Sequence, residues 1–207
     1  MNNLTIIESA DAVRIADWIE RRLVAALAGN DSPVAITVPG GSTPFPIFGE
    51  LIRRDLDFAR LHIWPGDDRM VPEDHEASNT GRIRTLFEPV GAAIMALDCA
   101  QTPPHFSLAW MGMGADGHIA SLFPNTDPQV DEERRIIRLT PDPLPPEAPF
   151  DRISLTIPAL LDSEEIMFTL GGGEDKRRVF DGAAKGDHDL PIARLLGAAN
   201  QPVTCFT

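Results

Sequence analysis

The chain has 207 residues, of which 43% are hydrophobic and 24% charged, as expected for a soluble globular protein with a sizeable core. Its net charge of −13 at pH 7 argues against nucleic acid or anionic membranes as partners. The sequence has no apolar run of the ~20 residues that span a bilayer, no signal-peptide pattern and too few cysteines for a disulfide framework. We therefore expect a cytoplasmic protein.

Apolar strand patterns alternate with helical patterns along the chain. The first half predicts a helix capped by Ser9 and ending near Ala28, then a strand at 34–38, a helix to about 54, a strand at 61–64 and a helix at 77–87. The second half predicts strands at 106–111, 135–139, 152–157, 166–170 and 203–206, with helices at 118–123, 174–184 and 191–196. This alternation indicates an α/β fold with a mostly parallel sheet and helices on both faces. Because no repeat or linker interrupts it, we expect residues 1–207 to form a single domain.

Four predicted strands end in turns that carry polar or glycine-rich sequence. These turns are Gly40-Gly41-Ser42-Thr43, Asp67-Asp68-Arg69, the segment from Gly114 to His118, and the segment from Gly171 to Lys176. In a parallel sheet all four lie at the same edge, where ligands bind in open α/β folds. The convergence predicts one site, although the Asp-Asp-Arg triplet by itself is equally consistent with a solvated run of charges.

Two of these turns have the chemistry of an anion site. In the first, the two glycines let backbone N–H groups approach a phosphate, and Ser42 and Thr43 add hydroxyl donors; an ordinary helix cap is the alternative. It is not a P-loop, because the Gly-Lys-Ser/Thr ending is absent. In the last, Lys176 stands at a helix start, where the helix dipole disfavours a cation, so an anion-binding role competes with that of a plain surface lysine.

The segment that begins at Gly112 carries acid–base chemistry. Asp116 and His118 follow a buried strand two residues apart, and a histidine there can move protons near neutral pH while the aspartate orients it. A histidine that merely satisfies the core is the alternative. The Gly-x-Gly-x-x-Gly spacing matches the dinucleotide fingerprint, but Pro124 ends the helix that this fingerprint requires.

These residues resemble the 6-phosphogluconolactonase family in order and spacing. The resemblance rests on Gly40-Gly41-Ser42-Thr43-Pro44, Trp64 with Asp67-Asp68-Arg69, Ser78-Asn79, Asp116-Gly117-His118-Ile-Ala-Ser121-Leu-Phe-Pro124, and Gly171 to Lys176. The Asp-Gly-His-x-Ala-Ser-Leu-Phe-Pro segment is the most specific of these. Glucosamine-6-phosphate deaminases of the same superfamily instead continue toward Ala-Phe-Asn-Glu-Pro. The family usually has Asp-Glu-Arg where this chain has Asp-Asp-Arg.

The resemblance implies a modified Rossmann-like α/β fold, as in the glucosamine-6-phosphate deaminase superfamily. It also implies a carboxylic ester hydrolase that converts 6-phospho-D-glucono-1,5-lactone to 6-phosphogluconate in the oxidative pentose phosphate pathway, without a metal or organic cofactor. By similarity, His118 is the general base or acid that activates water, Asp116 and Asp67 orient or polarise it, and Arg69 holds substrate charge. The implied binding residues for the phosphate are Gly40, Gly41, Ser42, Thr43 and Lys176.

Three alternatives remain open beside this interpretation. The chain could be a deaminase-like isomerase, against which the Ser-Leu-Phe-Pro ending argues, or a sugar-phosphate sensor without catalysis, against which the intact His118 and Arg69 argue. Ser121 as a nucleophile is the rival mechanism, but it lacks the Gly-x-Ser-x-Gly elbow and stands in the predicted short helix. A monomer and a homodimer are both compatible with the sequence.

Overall fold

The computed structural model describes residues 3–29, 32–146 and 148–207. Its strands are β1 Leu4–Ile7, β2 Val34–Val38, β3 Leu61–Pro65, β4 Asp67–Arg69, β5 Ala93–Ile94, β6 Leu108–Met111, β7 Ile136–Leu139, β8 Arg152–Leu155, β9 Ile166–Thr169 and β10 Val203–Phe206. Its α-helices are α1 Ala12–Ala28, α2 Phe45–Leu51, α3 Asn79–Phe87, α4 Ile157–Leu161, α5 Glu174–Lys185 and α6 Pro191–Ala198.

Within these described residues, seven strands form one sheet in the order β1-β10-β9-β6-β2-β3-β5. Every neighbouring pair in it runs parallel. From β2 the chain continues to β3 and β5 on one side, and later to β6, β9 and β10 on the other. The strand order therefore reverses between β2 and β6, which is the position where open α/β sheets bind ligands.

Helices cover both faces of this sheet, as the sequence predicted. Residues that alternate along a strand point to opposite faces, and β6 shows it well. Leu108 and Trp110 pack into a core cluster with α1, α2 and α3. Ala109 and Met111 pack into a second cluster with α4, α5 and α6. The expected α/β fold with a parallel sheet is thus confirmed, and its central strands are buried on both sides.

A second, smaller sheet was not predicted. Strands β4, β8 and β7 pair antiparallel in that order, with Asp67 opposite Ser154 and Arg69 opposite Arg152. The Asp-Asp-Arg triplet was interpreted as a turn because three charged residues carry no apolar alternation. Its pairing with β8 joins segments more than eighty positions apart, which local sequence patterns do not reveal.

The predicted helix at 118–123 is wrong. Residues 118–123 form a tight turn closed by a β-bridge between Ile119 and Leu122. Gly117 and Ala120 have φ values of 81° and 48°, in the left-handed region that no right-handed helix contains. For Ala120, which has a Cβ, this conformation costs of order 1–3 kcal/mol, so the surrounding contacts hold it in place.

The start of α1 also differs from the prediction. Asp11, not Ser9, is the N-cap, and its carboxylate accepts the backbone N–H of Arg14 at 2.8 Å. Gly29 ends the helix as expected. In the described parts of the chain, no helix combines the length and the apolar character that crossing a bilayer requires.

Candidate active site

A cavity of about 310 Å³ lies at the carboxyl ends of β2 and β6, where the strand order reverses. We call it the glycine-loop cavity, after the loop from Gly40 to Thr43 that forms one side. Eight of the nine predicted site residues line it: Gly40, Gly41, Ser42, Thr43, Asp67, Arg69, His118 and Lys176. The turns that follow four strands therefore meet at one site, as the parallel sheet predicted.

A larger chamber of about 730 Å³ adjoins this cavity and shares Asp67, Arg69 and His118 with it. We call it the proline-lined chamber. Asp116, the ninth predicted residue, lines this chamber. Its apolar wall consists of Phe123, Pro124, Pro141, Pro143, Pro145 and Ala148. The shared residues thus border both spaces, and the wall of the chamber is mostly apolar.

Asp116 and His118 form a hydrogen-bonded dyad. The Nδ1 of His118 lies 2.6 Å from Oδ1 of Asp116, and the His118 backbone N–H donates to the same oxygen at 3.2 Å. Burial raises the pKa of the Asp116 carboxyl, but the hydrogen bonds and charge of His118 outweigh it and leave that pKa below its ordinary value. Asp116 therefore stays ionised and fixes the tautomer with the proton on Nδ1.

The backbone of the loop around the dyad packs closely against His118. Gly114 donates its backbone N–H to the His118 carbonyl at 2.9 Å. A Cβ at Gly114 would lie 2.2 Å from the His118 ring, so only glycine fits there. The Phe123 ring packs against the imidazole with 4.7 Å between the ring centroids. Within the part of the chain that the structure describes, no residue hydrogen-bonds Nε2 of His118, which leaves that nitrogen available to a ligand or water.

Asp67 does not contact His118 by a hydrogen bond. Its Oδ2 accepts a short hydrogen bond from Ser121 Oγ, and its backbone carbonyl accepts one from the Asn79 amide at 2.9 Å. Burial raises the pKa of the Asp67 carboxyl above its ordinary value, and the Ser121 hydrogen bond and the positive charge of Arg69 oppose that rise. Ser121 is thus a hydrogen-bond partner of a site carboxylate, a contact that the sequence did not reveal.

One face of the small antiparallel sheet points into the site. Residues opposite each other on antiparallel strands, and those two apart on one strand, share a face. Asp67, Arg69, Arg152 and Ser154 therefore lie together, and Ser154 Oγ accepts the backbone N–H of Ser121 at 3.2 Å. This hydrogen bond connects the small sheet, which carries Asp67, to the turn at 118–123, which follows Asp116.

Asp68 points to the other side of β4 and binds the start of a helix instead of facing the site. It is buried and accepts hydrogen bonds from the backbone N–H groups of Arg69, Asn79 and Thr80 and from Ser78 Oγ. The last three donors belong to the start of α3, so Asp68 holds the N-terminus of that helix. It lines neither the cavity nor the chamber.

Asn79 is a site residue whose contacts the sequence did not predict. The resemblance to the family included Asn79 but implied no role for it. In the structure its amide donates to the Asp67 carbonyl, and its Oδ1 accepts from Arg69 at 3.4 Å. A Cβ at Gly40 would lie 2.2 Å from the Asn79 side chain, which explains the glycine there. Asn79 therefore joins β4 to the glycine loop.

The cations at the site have no carboxylate partners. Arg69 donates to the Ala77 carbonyl at 2.8 Å and to Asn79. Lys176 lies in the first turn of α5 and lines the same cavity as Ser42 and Thr43. Among residues 3–29, 32–146 and 148–207, neither side chain forms an ion pair with an aspartate or glutamate. Their charge is thus available to an anionic ligand. In those same ranges, no cluster of three or more His, Cys, Asp or Glu is placed to hold a metal ion.

Comparisons with known proteins agree with this arrangement. A family model described as Glucosamine-6-phosphate isomerases/6-phosphogluconolactonase matches residues 8–94 and 89–204. A 6-phosphogluconolactonase of Helicobacter pylori is 34% identical, with 79% of this chain and 78% of that protein covered. One from Neisseria meningitidis is 30% identical, with 94% and 92% covered. A crystal structure of a 6-phosphogluconolactonase from Shewanella baltica has a TM-score of 0.82 at 26% identity and covers 98% of this chain and 96% of that one.

Proposed function

Because the chain belongs to the glucosamine-6-phosphate isomerase/6-phosphogluconolactonase family, we propose that it hydrolyses 6-phospho-D-glucono-1,5-lactone to 6-phosphogluconate. The observation that carries the proposal is the Asp116–His118 dyad, with 2.6 Å between Oδ1 and Nδ1, at a cavity that also holds unpaired cations. The dyad supplies a base with a free Nε2, and the cations suit an anionic substrate. We further propose that the nine site residues belong to one domain and act in the cytoplasm.

The phosphate binds at the glycine-loop end of the cavity. Lys176 supplies a positive charge there, and the hydroxyls of Ser42 and Thr43 in the lining of the same cavity supply donors. Gly41 has φ 81°, which lets the loop turn with its backbone exposed to a ligand. Thr43 lies against Gly171, where a Cβ would come within 2.9 Å of its Oγ1, so the two loops are close enough to share one phosphate.

Hydrolysis then needs a base, a water molecule and a stabilised oxyanion. A water bonded to Nε2 of His118 attacks the lactone carbonyl carbon and transfers its proton to Nε2, while Asp116 stabilises the imidazolium that forms. Arg69 stabilises the negative charge on the carbonyl oxygen. The tetrahedral intermediate collapses, the bond from C1 to the ring oxygen breaks, and the imidazolium returns its proton to that oxygen. The new carboxylic acid loses its proton to solvent.

No covalent nucleophile is required, because a lactone is already an activated ester. Ser121, the rival nucleophile, is buried, and its hydroxyl donates to Asp67 rather than to His118. It therefore lacks the Ser–His hydrogen bond that activates a serine nucleophile. We therefore assign the attack to water and assign Ser121 to the support of Asp67.

The test is a coupled assay on freshly generated lactone, in which 6-phosphogluconate formation is followed against the spontaneous rate. We expect acceleration by the protein and no ammonia release from glucosamine 6-phosphate. Ammonia release without lactonase activity would favour the deaminase. Binding of both sugar phosphates without turnover of either would favour the sensor and contradict the proposal.

A further inference from the structure

Arg152 is a buried guanidinium beside the site that none of the roles above uses. Its side chain is 3% exposed, yet it lines the proline-lined chamber together with Asp67, Arg69 and His118. Within the described residues its guanidinium donates to main-chain oxygens: Nη2 donates to the Ala148 carbonyl at 2.8 Å, and Nη1 donates to the Phe150 carbonyl. A buried cation that is held only by neutral carbonyls is costly unless it has a further partner.

No carboxylate of the described residues lies within ion-pair distance of it, although Asp67, Asp151 and Asp68 act on its charge from farther away. Among the described residues, Arg152 forms no ion pair with an aspartate or glutamate, although the chain carries 31 of them against 18 lysines and arginines. Burial, and then the positive charge of Arg69, lowers the pKa of the Arg152 guanidinium below its ordinary value. The charges of Asp67, Asp151 and Asp68 oppose this decrease without reversing it, so an anion bound beside the two adjacent arginines would stabilise both of them.

Register places the two arginines together. Arg69 and Arg152 are directly opposite each other on β4 and β8, so their side chains leave the same face of the ladder. Arg69 borders both the glycine-loop cavity and the proline-lined chamber, whereas Arg152 borders only the chamber. Lys176 borders only the cavity. Arg152 and Lys176 thus border different spaces, and Arg69 borders both.

A guanidinium pair suits a planar group with two oxygens. Arginine donates through a fork that matches carboxylate geometry, whereas lysine acts as a point charge. The substrate in the proposed function has a phosphate at one end and a lactone carbonyl at the other, and hydrolysis turns that carbonyl into a carboxylate. Cations that border two adjoining spaces correspond to the two oxygen-rich groups at the two ends of one ligand.

We propose, on the basis of the proposed function, that Arg152 and Arg69 form a subsite for the C1 oxygens of the ligand, separate from the phosphate subsite at Lys176. Arg152 thereby distinguishes sugar phosphates that have a C1 carboxylate from those that lack it. Its hydrogen bonds to the Ala148 and Phe150 carbonyls fix the fork in place before the ligand arrives.

The test is direct binding by calorimetry of 6-phosphogluconate and of glucose 6-phosphate, which share the phosphate but not the carboxylate. We expect Arg152→Gln to lower the preference for 6-phosphogluconate about 10-fold or more, the size of one charge-assisted contact. Arg152→Lys, which keeps the charge without the fork, should lower it less. Lys176→Ala should weaken both ligands alike and leave the ratio unchanged.

Arg135→Gln is the matched control, because Arg135 also donates to a main-chain carbonyl, that of Pro158, but does not line either space. It should keep the wild-type ratio, and circular dichroism should show that each variant is folded. If Arg152→Gln does not fold, the ratio in Arg152→Lys decides. A wild-type ratio in folded Arg152 variants, with lactonase activity present, would overturn this inference alone. Absence of both activity and ligand binding in the wild type would overturn the proposed function instead.

Discussion

Asp68 should matter for stability and not for chemistry, although it stands between two site residues. Its carboxylate accepts the backbone N–H groups of Arg69, Asn79 and Thr80 at 2.8, 2.6 and 2.9 Å. It also accepts the hydroxyl of Ser78 at 3.1 Å. Because the group is only 7% exposed, water cannot replace it. Removing the charge at Asp68 should therefore weaken the start of α3.

The size of the effect follows from these contacts. In Asp68→Asn the amide keeps one oxygen acceptor, and its NH2 group faces the Thr80 N–H, so one main-chain bond is lost together with the charge. A hydrogen bond to a charged group contributes about 1.5–3 kcal/mol, and helix capping contributes about 1 kcal/mol more. We expect a loss of about 3 kcal/mol, which for a chain of this size lowers Tm by roughly 6–12 °C.

Thermal unfolding followed by circular dichroism measures the change in Tm. The value of kcat is determined at a temperature where the variant is folded. Asp74→Asn is the control, because Asp74 is an exposed aspartate on the same connection and should shift Tm very little. We expect Asp68→Asn to keep most of its kcat. An unchanged Tm with a large loss of kcat would refute the reasoning and place Asp68 in the chemistry.

Two further changes test the arrangement of the site. Ser121→Ala removes a hydrogen bond that lowers the pKa of Asp67, so this pKa should rise further. The acid limb of the profile of kcat/KM against pH should then move to higher pH. An unmoved limb would show that Asp67 does not titrate in catalysis. Gly114→Ala places a Cβ 2.2 Å from the His118 ring and should lower kcat about 100-fold or more while the protein still folds. Gly49→Ala is the control, because a Cβ at Gly49 would meet nothing within 4 Å. Equal activities of the two variants would show that a Cβ at position 114 does not displace the His118 ring.

The sequence predicted five of the seven strands of the main sheet, though not the edge strands β1 and β5, and most of the candidate site, because both rest on local patterns. Buried strands such as 34–38 are apolar runs followed at once by glycine or charged residues, and parallel strands bring these turns to one edge. The pairing of Asp116 with His118 could also be predicted, because the two residues are only two positions apart. The exact contact between them, at 2.6 Å, needed the structure.

What the sequence could not predict depends on pairing over long distances. Arg152 joins the site only through its register opposite Arg69, and no periodicity in either short strand indicates that partner. The turn at 118–123 was misinterpreted because Ala120 adopts a left-handed conformation that alanine rarely shows, and the surrounding contacts override its helical preference. The contacts of Asp68 and Asn79 were missed for a related reason: they join β4 to the start of α3, ten to twelve positions away, and no periodicity indicates side-chain hydrogen bonds of this kind.

The central claim is that His118 is the base that activates water. The most direct measurement is kcat for lactone hydrolysis by His118→Ala, with calorimetric binding of 6-phosphogluconate and circular dichroism showing that the site and fold are intact. The account predicts a loss of about 10²-fold or more in kcat with ligand binding retained. Near-wild-type turnover by a folded His118→Ala protein would contradict it and assign proton transfer to another group of the site.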